Sequence, residues 1–192
     1  QTNGQSAKLA SIGSTAVSNW GGEFQIFTKP ANGTPNDTIL ERVRIDNAGR
    51  MTIPYQPSFL AYGNTDQTIS SAGTFTKTTM WTTAFNVGSH WSSNRFTAPV
   101  AGRYVFGVNL RMDNVNSDYS RVIIGKNGST NLNTNGHAIT RYEAYGSNYH
   151  TNALTVLFDL AASDYVEVYA YCVTDSSFVA QSESQWWGYL VG

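Results

Sequence analysis

Three histidines, one cysteine and thirteen carboxylates are the residues of this chain whose chemistry could drive a reaction. His90, His137 and His150 have no cysteine, histidine or acidic neighbour at metal-ligand spacing, and they read as exposed or edge polar residues. Cys172 falls on the apolar face of a strand-like run and reads as a small buried hydrophobe; being alone, it can close no intrachain disulfide. No Gly-x-Ser-x-Gly elbow, phosphate-binding loop or dinucleotide fingerprint occurs. A glycosidase needs two carboxylates across a cleft, but thirteen acids supply some such pair by chance, so their number argues nothing. The oxygen-rich run Asp113-Asn114-Val115-Asn116-Ser117-Asp118 could offer calcium the side chains of Asp113, Asn116 and Asp118. It lacks the glycine and the twelfth-position glutamate of an EF-hand, and Asn and Asp are also ordinary turn residues. These residue types therefore point to a chain that is not an enzyme and needs no cofactor, with calcium the one candidate ion.

Such residues must be held by something, and the chain is built for strands. Of its 192 residues 41% are apolar but only 13% charged, about half the usual share of charge. Neutral polar residues and glycine fill the gap, an extracellular or virion-surface palette. A net charge of −1 with no basic run leaves nucleic-acid binding without an electrostatic source. No apolar run approaches the roughly 18 residues of a membrane-spanning helix, so insertion into a membrane is not expected. The chain opens at Gln1 without a methionine, which fits a piece of a longer polypeptide.

The pattern divides near Tyr55. Residues 1–56 read as a small meander: Glu23–Phe27, Leu40–Asp46 and Arg50–Ile53 alternate, with Asn47-Ala48-Gly49 as a turn. So thin an apolar supply needs neighbours. Residues 57–192 carry about ten strand-like runs with turn signals between them and no helical period, which predicts an antiparallel sandwich. The strongest run is Arg103–Met112, where Tyr104, Phe106, Val108, Leu110 and Met112 share one face.

Four elements of this second region carry a family resemblance. Phe96-Thr97-Ala98-Pro99-Val100-Ala101-Gly102-Arg103-Tyr104-Val105-Phe106 comes first, and Val122-Ile123-Ile124 with Asn127-Gly128 second. Leu157-Phe158-Asp159-Leu160 with Ser163-Asp164-Tyr165-Val166 is the third; Ala162-Ser163 stand where a glycine is usual. The last is Trp186-Trp187-Gly188-Tyr189-Leu190, with Trp186 in place of a phenylalanine. Together they resemble the complement C-one-q globular-head family, related in fold to tumour necrosis factor. The resemblance implies a jelly-roll sandwich that assembles as a homotrimer and binds ligands. Upstream, Glu41–Ile53 resembles a recurrent element of phage tail-fibre and other virion appendage proteins, which implies a shaft segment preceding a head.

Those resemblances set the functional expectations. Tyr165, Tyr169 and Tyr171 lie opposite Val166, Val168, Ala170 and Cys172 on one strand, and the tyrosine row is expected at the trimer interface. If the last strand runs toward the shaft, strand parity gathers the loops at 113–118, 142–149 and 174–184 at the far end. Their candidate receptor-binding residues are Asp113, Asn116, Asp118, Tyr142, Glu143, Tyr145, Tyr149, Asp175 and Phe178. Rings beside amides and carboxylates suit sugars. The expected role is a virion appendage protein, tail fibre or capsid fibre, on the particle surface and assembled in the host cytoplasm. Its partners would be its own copies, other virion structural proteins and a host surface glycan or membrane protein. A structural trimerisation or capsid-decoration module is the alternative, and a polysaccharide depolymerase a third.

Overall fold

The computed structural model describes residues 10–17, 21–30, 38–115, 119–131, 138–143, 149–175 and 177–192, every regular element of which is a strand. Two compact units divide the chain, Gln1–Gln56 and Pro57–Gly192. In the first, β1 (Ala10–Val17), β2 (Gly21–Thr28), β3 (Leu40–Ile45) and β4 (Met51–Thr52) form one antiparallel sheet in that order. Arg44 bridges Glu23 and Glu41 at 2.6 Å each and ties β2 to β3. The turn into β4 is held by Asp46, whose Oδ1 accepts the amides of Ala48 (2.9 Å) and Arg50 (3.0 Å), while Gly49 takes a left-handed φ of 79°. Phe24, Ile45 and Met51 line up across β2, β3 and β4, and all three are exposed.

The second unit is a sandwich of two sheets. One contains β5 (Ser58–Gly63), β6 (Gln67–Ile69), β8 (Trp81–Val87), β11 (Gly102–Asp113), β14 (Tyr149–Leu160), β16 (Phe178–Ala180) and β17 (Gln185–Leu190). Its main order is β14-β11-β17-β5-β8, with β16 and β6 continuing beside the end of β11. The other sheet contains β7 (Thr76–Lys77), β9 (Trp91–Ser92), β10 (Arg95–Thr97), β12 (Tyr119–Lys126), β13 (Ala138–Glu143) and β15 (Tyr165–Cys172), with β13-β12-β15 at its centre. All pairings are antiparallel. β6, β9 and β16 are too short to show a period, which is why no alternation announces them.

Between the sheets lies an aromatic core. Phe59 stacks on Phe96 at 5.4 Å and meets Trp186 edge-on at 5.0 Å; Trp186 also meets Trp81 and Trp91 near 6 Å. The face of Arg103–Met112 chosen by alternation is the buried one: Tyr104, Phe106, Val108, Leu110 and Met112 are all at most 1% exposed. Gly188 lies under Phe106 and Phe59, where a β-carbon would collide with the Phe106 ring. Cys172 is buried and free, as its strand face implied.

Pro57, where the unit begins, marks its proximal end, because β5 and β17 are antiparallel and Ser58 pairs with Tyr189. Two turns are clamped together there. Lys126 pairs with Asp164 at 2.7 Å, and Asn127 Nδ2 donates to Asp164 Oδ1 at 2.7 Å. The Asn127 amide and Lys126 together hold the Asp164 carboxyl at about 2. In the same turn Ser163 adopts a φ of 73°, a conformation that disfavours any residue with a β-carbon. Ser163→Gly is therefore expected to stabilise the unit by about 0.5 kcal/mol, the relief of left-handed strain less the entropy glycine adds to the unfolded chain. A raised thermal midpoint checks it; a lowered one contradicts the strain.

Candidate functional site

The pairing gathers at the distal end the finish of β11, the start of β12, the end of β13, the start of β14 and the end of β15. Asp113 and Tyr149 face each other across β11 and β14. Asp113 Oδ1 accepts the Asn114 amide at 2.7 Å and Oδ2 accepts Gln181 Nε2 at 3.3 Å, so both carboxylate oxygens already hold donors. Tyr149 is exposed, with the Arg111 guanidinium 5.0 Å from its ring centre and Glu183 paired to Arg111. Asp175, just beyond the end of β15, accepts the Cys172 thiol at 3.2 Å. Tyr142 and Glu143 occupy the register positions opposite Ser120 and Tyr119. Asn116, Asp118 and Tyr145 lie outside the described residues, as does His137. Of the calcium candidates only Asp113 is described, and among the described residues no group of three acidic, histidine or cysteine side chains could hold a metal.

Phe178 is a correction. The segment read as loop contains β16, which pairs with β6 and with the end of β11 and turns Phe178 fully into the core. It cannot meet a receptor. His150 is a second correction: it is 7% exposed, and its Nε2 lies 2.5 Å from the Ser120 hydroxyl. Asn152 Nδ2 also donates to Ser120 Oγ at 2.9 Å, and Asn152 Oδ1 accepts from Thr140 at 3.0 Å. This Ser–His contact resembles a nucleophile and its base, but Ser120 has no exposed surface and its oxygen is shared. The cluster is a buried polar network that joins β12 to β14, and burial holds the His150 ring below its ordinary pKa, hence neutral.

The tyrosine row faces outward from β15, opposite the buried Val166, Val168, Ala170 and Cys172. Its expected role needs correcting, because the chain itself covers much of the row. Glu167 belongs to the same face and is 2% exposed. Lys77 Nζ (2.5 Å) and Arg95 Nη2 (2.7 Å) pair with its Oε1, and the Tyr169 hydroxyl donates to Oε2 at 2.6 Å. Tyr169 is thereby buried within one chain. The Arg95 guanidinium sits 4.0 Å over the Tyr165 ring, and Tyr171 lies between Phe75 (4.9 Å) and Tyr119 (6.1 Å).

Large uncovered apolar area lies instead on the other sheet. One row across its outer face runs Leu157, Val105, Tyr189; the next runs Gly107, Trp187, Leu60, Phe85. Leu157 (57%), Phe85 (49%), Tyr189 (46%) and nearby Tyr62 (44%) are exposed. Trp187 lies flat over Gly107, where a β-carbon would strike the indole, and stacks on Tyr189 at 6.2 Å. An antiparallel sheet face turned to water normally alternates apolar with polar residues, and this one does not. No single strand displays this apolar band, so alternation in the sequence could not reveal it.

No protein-family model matches the sequence, and no curated protein is similar to it in sequence. Among solved structures, the Eiger TNF from S. frugiperda superposes with a TM-score of 0.54 at 14% identity, covering 71% of this chain and 93% of that one. Murine APRIL at pH 5.0 gives 0.52 at 10% identity over 71% and 99%. The fold is a tumour-necrosis-factor-like jelly roll. The globular domain of zebrafish complement 1qA protein is also similar, with a TM-score of 0.48 at 12% identity over 71% and 98%. Identities this low speak for the jelly roll and leave the ligand open.

The Glu167 cluster yields a signed prediction. Burial raises the carboxyl pKa, but Lys77, Tyr169 and Arg95 together outweigh it and hold it below 4.5. The cluster's stabilisation is therefore present above the unfolded-state value and lost as pH falls through the folded one. Glu167→Gln is expected to cost about 2 kcal/mol at neutral pH, less than a fully buried pair because Lys77 and Arg95 reach solvent. It also flattens the acid limb of the stability profile measured by denaturant titration; an unchanged limb contradicts the assignment.

Proposed function

We propose that this chain forms a homotrimeric, non-enzymatic binding head on a virion appendage, with residues 1–56 as the shaft end, and that it attaches the particle to a host surface glycan or membrane protein. The supporting observation is the apolar band of Leu157, Val105, Tyr189, Trp187, Leu60 and Phe85, a surface two sister chains would cover around a three-fold axis. The exposed row Phe24, Ile45 and Met51 in the first unit poses the same demand. The virion setting rests on the resemblance of Glu41–Ile53 to appendage proteins. Three copies on one axis would present identical distal loops and outer sheets to a surface, where avidity multiplies weak single contacts.

The test is binding of the purified protein to a glycan array and to whole cells, compared with Leu157→Arg. The unaltered protein is expected to bind. The variant, folded as separate chains, should lose about a hundredfold or more in apparent affinity as avidity disappears. Failure to bind any glycan or cell, in a protein that particles still require for assembly, would favour a structural clamp instead.

A further inference from the structure

The outer face of the sheet that holds β12 and β15 carries an arginine set among three aromatic rings. Arg121 points out from β12, since its neighbours Ser120 and Val122 are buried between the sheets. Its guanidinium lies 4.6 Å from the Tyr119 ring centre and 5.6 Å from that of Tyr171. Those two rings are nearly parallel, 19° apart, and Phe75 packs against Tyr171 at 4.9 Å from the side away from Tyr119. The register sets Tyr171 directly opposite Arg121 on one side and Arg141 directly opposite on the other. Arg95 pairs with Glu167 and Arg111 with Glu183. Arg121 makes no ion pair among the described residues.

From this we infer that Tyr119, Arg121, Tyr171 and Phe75 form a binding site for a carboxylated pyranose, a uronic or sialic acid residue of a surface glycan. Contact with two rings holds the guanidinium in place, and an arginine with no acid beside it can offer its N–H groups to a carboxylate in the bidentate geometry it serves best. Phe75, at the end of this stack, is partly exposed and offers a ring to the C–H face of a sugar, while the Tyr119 and Tyr171 side chains, hydrogen-bonded to each other, brace the guanidinium. An apolar peptide would leave the cation unmatched, and a neutral sugar would use only the rings. This site deepens the attachment reading and rests on it. It lies on the sheet opposite the apolar band, so trimer formation through that band leaves it open.

The test is titration calorimetry of the full-length protein with a galacturonic acid tetrasaccharide, a sialic acid trisaccharide and the carboxyl-reduced form of each. At least one acidic oligosaccharide is expected to bind, its reduced form about tenfold or more weakly. Arg121→Gln should abolish that difference, Arg121→Lys should restore part of it, and Tyr171→Ala should weaken both forms; thermal melts verify that each variant is folded. Binding of neither acidic oligosaccharide, equal binding of the reduced form, or an Arg121→Gln variant that binds like the unaltered protein overturns the site. Whole-cell binding separates the two levels: a protein that binds cells but neither oligosaccharide keeps the attachment role and loses this site, whereas one that binds an oligosaccharide through Arg121 but no cells keeps the site and loses the role.

Discussion

A central strand with large rings on both faces is the constraint from which the rest of this molecule follows. β17 turns Trp186 into the core and Trp187 and Tyr189 outward. Two glycines make this possible: Gly188 admits Phe106 from inside, and Gly107 on the neighbouring strand admits Trp187 from outside. A sheet facing water normally alternates apolar with polar residues. Here the outward positions are apolar across several strands, so the sheet is furnished for burial on both sides while one chain supplies only one of them.

The opposite sheet solves its outer face differently. Glu167 draws in Lys77, Arg95 and Tyr169 and seals the middle of β15 within the chain. The same contacts fasten the short strands β7 and β10, which pair with β15 through only two residues each. What remains partly open lies near the ends of β12 and β15, where Arg121 sits against Tyr119 and Tyr171. The two outer faces thus differ: one is apolar across several strands, the other charged and paired within the chain. Fold likeness alone would not have distinguished them, because a jelly roll leaves both outer faces to be specified by side chains.

Much of the fold was legible because its strongest strands are long and strictly alternating. Tyr104 to Met112 named the core face, and the opposition of Val166, Val168, Ala170 and Cys172 to the tyrosines was likewise a matter of parity. Parity cannot say what covers a face, though. The cations that claim Glu167 come from 90 and 72 residues away in sequence, so the tyrosine row looked available when the chain itself was using it. The apolar band is distributed over β14, β11, β17, β5 and β8, one or two residues from each, and becomes a patch only when the register is known. Phe178 was misplaced because a three-residue strand has no period to read, and His150 because a buried polar network depends on contacts with Ser120 and Asn152 from different strands.

The most direct measurement is sedimentation velocity of the full chain from micromolar down to nanomolar concentration, with tryptophan fluorescence quenching read on the same samples. A species of three chains at all but the lowest concentrations, in which Trp187 is shielded from quencher, is the expected result. A single folded chain at micromolar concentration, with Trp187 open to quencher, would contradict a molecule built around a shared apolar face.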